Sequence, residues 1–208
     1  MGSPAREYDM TARAAATART RERLLLAARE RFADRHYDDV TLAEVAGAAG
    51  VTVQTLLNHF GSKDGMLAAA AEAFAGVVAD LRGPVEPGDL DGAVDALMRH
   101  YEVLGDANWR LVADAERQTV LGSLLDGARA AHRAWIEAVF APQLTAADRG
   151  GDHLTAAGRG GDREETVAAL YAVTDVGTWK LLRRDLGRSP EVTRAVLRRL
   201  IAGQLERG

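Results

Sequence analysis

Along most of the chain apolar residues recur at i, i+3, i+4 and i+7, and no run alternates with period two, so the pattern predicts an all-α fold. A first helix is expected from near Thr20 to about Arg35, with Leu25, Ala28 and Phe32 on one face. Thr41-Leu42-Ala43-Glu44 has the order of a capping box and opens a short helix whose inward face is Leu42, Val45, Ala46 and Ala49. Gly50 suits the left-handed turn that glycine adopts at least cost, and Val51-Thr52 begins a second short helix with Leu56 and Phe60 inward. Gly61-Ser62 breaks that helix, and Ser62 caps a long one over 62–82. Its apolar residues Leu67, Ala71, Phe74, Val78 and Leu81 are spaced as one seam, expected to be buried.

Beyond Gly83-Pro84 and Pro87-Gly88 the pattern predicts helices over 89–104, 106–117, 121–141, 163–186 and 190–206. Gly187 stops the fourth, and Ser189-Pro190-Glu191 starts the last with cap, first-turn proline and first-turn acid in order. Residues 1–17 read as a flexible arm leading into an arginine cluster, Arg13, Arg19, Arg21 and Arg23. The decapeptide LTAADRGGDH at 144–153 returns as LTAAGRGGDR at 154–163, and two copies are too few for a solenoid, so 144–163 reads as a duplicated surface loop. The expected division is an arm over 1–17, a helix-turn-helix domain over 18–66 and a second helical domain over 67–208.

Composition narrows the class. With 208 residues, 47% hydrophobic and 27% charged, the chain is expected to be globular. It has no Cys, which removes disulfides, thiolate metal sites and cysteine nucleophiles, and no stretch reads as a membrane span or leader, so a cytoplasmic location is expected. The formal charge is −4, so any hold on nucleic acid must come from local arrangement rather than bulk attraction.

The two short helices around Gly50 are a helix-turn-helix candidate. In that motif the second helix lies in the major groove, and the face opposite Leu56 and Phe60 carries Thr52, Val53, Gln54, Thr55, Leu57, Asn58 and His59. Gln54 and Asn58 have the paired donor and acceptor that read adenine, Val53 and Leu57 can meet a thymine methyl, and Thr41 and Thr55 can bond phosphate, with Lys63 as the motif's cation. Spacing alone leaves a second reading open, an ordinary helix pair with a solvated polar face.

Residues 20–67, from Thr20 through the Thr41 cap, the Gly50-Val51 turn, Thr55-Leu56, His59-Phe60 and Ser62-Lys63-Asp64, resemble without a gap the amino-terminal domain of the tetracycline-repressor (TetR) family of bacterial regulators. The resemblance implies an all-helical homodimer that binds a near-palindromic double-stranded DNA operator, and a carboxy-terminal domain in which a small-molecule effector binds and releases the DNA. It implies base contacts at Val53, Gln54 and Leu57, and phosphate contacts at Thr41, Thr55, His59 and Lys63. Where the family commonly has Tyr, this chain has Leu57 and so lacks a phenol. The last two helices, 163–186 and 190–206, resemble the pair through which family members dimerise. Helix 62–82 is then expected to act as a pendulum between effector and DNA.

Effector-binding candidates lie on the inward stripes of helices 89–141: Tyr101, Trp109, Glu116, His132 and Trp135, large aromatics with isolated polar groups. Each has a plainer alternative as core, and Glu116 has one in an ion pair with Arg129. The rival class is an enzyme, but the chain has no nucleophile elbow, zinc-protease, phosphate-loop or dinucleotide motif, and its five His are too scattered for a metal site. No cofactor or metal is expected. The remaining alternative is a DNA-binding dimer controlled by a protein partner, or by no ligand.

Overall fold

The computed structural model describes residues 4–150 and 156–206, with side chains over 12–145 and 163–206. Every regular element among the described residues is helical. The chain divides into two compact units, one up to Gly76 and one from Val77.

In the first unit, α1 (Pro4–Asp34) is followed by a 3-10 turn (Tyr37–Asp39), α2 (Leu42–Ala48), α3 (Val53–Phe60) and the first turns of α4 (Lys63–Arg82). The expected arm over 1–17 is helical from Pro4, and the expected start near Thr20 is corrected accordingly. The physical reason is legible afterwards: Ala12, Ala14, Ala15, Ala16 and Ala18 are the strongest helix formers, while the Thr17 and Thr20 hydroxyls are merely satisfied within the helix by the carbonyls of Arg13 and Ala16, each at 3.0 Å. Leu24, Ala28, Val45, Leu56 and Met66 are fully buried and form the core of this unit. Leu25 and Phe32 lie at its edge.

The second unit holds the rest of α4, then α5 (Leu90–Ala115), α6 (Thr119–Val139), α7 (Ala141–Gly150), α8 (Ala156–Thr174), α9 (Val176–Lys180) running into a π-helical turn (Leu181–Asp185), and α10 (Pro190–Leu205). α5 packs against α6, α9 and α10, and α8 against α6, α7 and α10, around Leu97, Ile136, Phe140, Leu170, Trp179, Leu197 and Ile201.

Four expectations about the helices are corrected. Helices 89–104 and 106–117 are one helix, because Gly105 is a packing position and not a break: a Cβ there would lie 2.3 Å from the Trp179 ring. Helix 163–186 is interrupted at Asp175, whose extended backbone and carboxylate, accepting from Gly177 N at 2.7 Å, cap α9. The duplicated segment is not a loop where it is described, since 144–150 and 156–163 belong to α7 and α8; residues 151–155 lie outside the described residues. In the seam of α4, Leu67 is buried but Ala71, Phe74, Val78 and Leu81 are only half-buried.

The π turn is held to α5 by paired arginines. Arg183 bonds Glu102 in bidentate fashion, Nε at 2.6 Å and Nη2 at 2.8 Å, and Arg184 does the same with Asp106 at 2.8 and 2.7 Å. Arg194 and Arg198 extend the row from α10 to Asp91 and Asp95.

Candidate nucleic-acid interface and a buried polar cluster

In the first unit the turn between α2 and α3 is fixed at both ends. Thr41 Oγ1 accepts from Glu44 N at 3.2 Å and the Glu44 carboxylate accepts from Thr41 N at 2.9 Å, a complete capping box. The Thr41 hydroxyl proton is also directed to Glu44, at 2.8 Å, so that group is engaged locally. Arg35 bonds the other oxygen of Glu44 at 2.8 Å, and this guanidinium with the Thr41 donors holds the Glu44 carboxyl down at about 2. Gly50 takes φ +67, and Val51 N reaches the Ala46 carbonyl at 2.9 Å.

Thr52 caps α3, accepting from Thr55 N at 3.2 Å, with the two hydroxyl oxygens 2.9 Å apart. Leu56 anchors the helix in the core at 0% exposure, so the opposite face is turned outward. Thr52, Gln54 and Asn58 are exposed there, and Val53, Thr55, Leu57 and His59 are half-buried. Gln54 Nε2 donates to Asn58 Oδ1 at 3.0 Å, which leaves Gln54 Oε1 as an acceptor and Asn58 Nδ2 as a donor for an outside partner. That pair of groups complements the N6 donor and N7 acceptor of adenine.

Lys63 is drawn inward, with Nζ donating to the Tyr37 carbonyl at 2.5 Å and lying 4.0 Å from the centre of the Tyr37 ring. The Tyr37 hydroxyl bonds Asp64, and burial together with this carboxylate pushes the phenol up. Ahead of the motif, Arg13, Arg19, Arg21 and Arg23 are exposed along α1, and Arg21 reaches Phe60 at the end of α3, 5.5 Å from the ring centre. The patterning gave no sign of this contact, because it depends on α1 crossing the end of α3.

The second unit contains a buried arginine that sequence reading missed. Arg82, the last residue of α4, is 7% exposed. Its Nε donates to His100 Nδ1 at 3.2 Å, its Nη2 lies 3.0 Å from His132 Nδ1, and its guanidinium lies 4.6 Å from the Trp135 ring centre. Arg99 fixes the end of α4 by donating to the carbonyls of Leu81 at 3.1 Å and Arg82 at 2.7 Å. His132 Nε2 faces Thr174 Oγ1 at 3.0 Å, and the Thr174 proton goes to the Leu170 carbonyl at 2.7 Å. Thr174 must therefore accept from His132 Nε2–H, which leaves His132 Nδ1 as the acceptor for Arg82. At His100, Nδ1 accepts from Arg82 and Nε2 lies 2.9 Å from Asn108 Nδ2. Both rings are neutral, and burial with the neighbouring Arg82 holds each at about 3.

Of the effector candidates, Tyr101, His132 and Trp135 gather around Arg82. Tyr101 is buried and donates to the Thr174 carbonyl at 2.9 Å, and its ring stacks on His100 at 4.6 Å. Trp109 instead lies under Lys180, whose Nζ is 4.9 Å from its ring centre. Glu116 is corrected: it is the exposed C-cap of α5 and does not face inward with the others. Its alternative partner Arg129 pairs with Asp126 at 3.6 Å. The signal for His100 was available, since Leu97 and Leu104 flank it at helical spacing, whereas a terminal arginine reads as a surface charge.

Residues 24–70 match the model of the bacterial regulatory proteins of the tetR family. No curated protein matches the chain. Among solved structures, a candidate transcriptional regulator from Pseudomonas aeruginosa PAO1 has a TM-score of 0.68 at 19% identity, covering 89% of this chain and 90% of its own. A transcriptional regulator from Rhodococcus sp. Rha1 has a TM-score of 0.67 at 22% identity, covering 89% and 96%. A candidate TetR-family transcriptional regulator from Rhodococcus sp. has 0.67 at 21%, covering 90% and 99%. These likenesses are of fold. No helix among the described residues is long and apolar enough to cross a membrane. The similarity to the bacterial regulatory proteins of the tetR family is thus carried by residues 24–70, within the first unit.

Proposed function

We propose that the chain is a ligand-responsive repressor: a homodimer that binds a near-palindromic operator through α3 and is released from it by a small molecule held in the second unit. The observation that carries the DNA half is the outward face of α3, where Gln54 and Asn58 stand exposed on a helix anchored by Leu56. Val53 and Leu57 offer methyl contacts beside them, and Thr52, Thr55 and His59 line the same face toward phosphate. Thr41 and Lys63 contribute phosphate contacts on this reading, although each is engaged in the free protein. Lys63 keeps two further N–H donors while one serves Tyr37, and Thr41 must exchange its bond to Glu44. Arg21 and its neighbours on α1 add cations that α3 itself lacks.

Dimerisation is assigned to α8, α9 and α10. In favour of it, Leu181, Leu186 and Val192 are 49%, 50% and 46% exposed on or between the last elements, more apolar surface than a monomer needs there. A dimer sets its two recognition helices about 34–36 Å apart for successive major grooves, and an effector that alters the spacing costs contacts in one half-site.

The test is enrichment of random DNA on the purified protein at about 150 mM salt. A two-fold-symmetric motif is the expected result, and compounds that weaken binding to it then identify the effector by linkage. Retention of DNA without any enriched motif would sink the sequence-specific reading.

A further inference from the structure

Arg82 is a buried cation whose partners among the described residues are all neutral: two imidazoles, an indole face and the neighbouring Tyr101. No carboxylate among the described residues forms an ion pair with it, although seven other arginine and lysine side chains of the second unit do pair with acids. A buried guanidinium without an anion is costly, and the cost is offset when an acceptor carrying charge arrives. The two rings occupy Nε and Nη2 and Tyr101 also meets the guanidinium, while Nη1 bonds neither ring and carries N–H donors that an incoming oxygen can use. Trp135, whose ring lies against the guanidinium, and Tyr171 are half-buried. His132 lies between them, stacked on Trp135 at 5.9 Å and edge-on to Tyr171 at 5.0 Å.

We propose that the effector site of the second unit is selective for anions, taking a small organic carboxylate whose oxygens pair with Arg82 and whose apolar part lies against Trp135 and Tyr171. The inference rests on the reading of the second unit as effector-binding and adds the chemical class of the effector. The histidines play a definite part. With Nδ1 of each ring turned to Arg82, and His132 held as its Nε2–H tautomer by Thr174, they orient the guanidinium without neutralising it, whereas a glutamate in either place would cancel its charge. The site therefore stays positive and fixed while empty.

The experiment is a titration of the full chain, followed by tryptophan fluorescence, with a series of carboxylates (acetate, benzoate, octanoate) each set against its neutral amide. For at least one pair the carboxylate is expected to bind roughly tenfold or more tightly than the amide, the discrimination typical of a site built around a charged partner. Arg82→Gln should abolish that preference and Arg82→Lys should retain part of it. Because the acid-to-amide comparison is made on the unaltered protein, it decides the matter even where Arg82→Gln fails to fold. If no carboxylate in the series out-binds its amide, or if Arg82→Gln binds the acid as the parent does, the inference is wrong. The same titrations on operator DNA separate it from the broader reading. A neutral compound that releases DNA upholds the regulator and overturns the anion site, and a carboxylate that binds without affecting DNA upholds the site and overturns effector control.

Discussion

At the scale of the residue, the histidine pair beside Arg82 makes stability depend on acid. Both rings are neutral in the folded protein down to about 3, whereas in the unfolded chain a histidine takes a proton near 6.5. Below that ordinary value the unfolded state binds more protons than the native one, so stability is complete above about pH 6.5 and is lost as the pH falls toward the folded values, by up to about 1.4 kcal/mol per pH unit for each ring. Urea unfolding at pH 7.5, 6 and 5 should show this slope, and His132→Asn should remove about half of it; a flat profile would contradict the neutral pair. Gly105 makes a second prediction. Trp179 is fully buried, with its indole N–H bonded to Glu102 at 3.0 Å, so its ring cannot retreat from an added methyl group. Gly105→Ala should destabilise the protein by about 1–3 kcal/mol, read as a shift in the denaturation midpoint, although alanine is the better helix former.

Elements were legible wherever local chemistry decides them. The Thr41 capping box, the Gly50 turn, the Gly61 stop and the Ser189-Pro190 start all stand where the sequence placed them. What sequence could not show was tertiary. Gly105 looks like a break until Trp179 is seen against it, and α8 looks continuous with α9 until Asp175 is recognised as a cap inside an apolar run. The arm and the repeat were misread for the opposite reason, by weighing glycine and polar residues over the alanines beside them. For the candidate sites, the α3 face followed from its 3.6-residue period, while Arg82 did not, because its burial depends on rings contributed by α5 and α6. α3 itself is open to test. Gln54→Ala should lower operator affinity by about 1–3 kcal/mol and relax preference at one base step, measured against operators altered one pair at a time. Equal losses on every sequence would remove Gln54 from base reading and leave it a prop for Asn58.

For the molecule as a whole, the balance of charge and apolar surface bears on assembly. The chain carries a formal charge of −4, and its arginines on the π-helical turn and α10 are largely satisfied by the aspartates and glutamate of α5, so the last elements present neutralised rims around exposed Leu181, Leu186 and Val192. Such a patch suits self-association better than contact with nucleic acid. Leu186→Glu combined with Val192→Glu should shift the protein toward monomer in sedimentation velocity without loss of helix content. A double variant that sediments as the parent would rule this patch out as a surface for self-association.

The tautomers fixed around Arg82 also set chemical reactivity. Acylation by diethyl pyrocarbonate needs a ring nitrogen with an available lone pair, and in His100 and His132 that pair is engaged by the guanidinium. His59 on α3 should therefore be modified ahead of the two buried rings, which should resist until Arg82 is withdrawn from them. A reagent for imidazole thus becomes a reporter for an arginine, and protection of these two histidines, followed by mass spectrometry, tracks whether an incoming anion pulls the guanidinium away or leaves it in place.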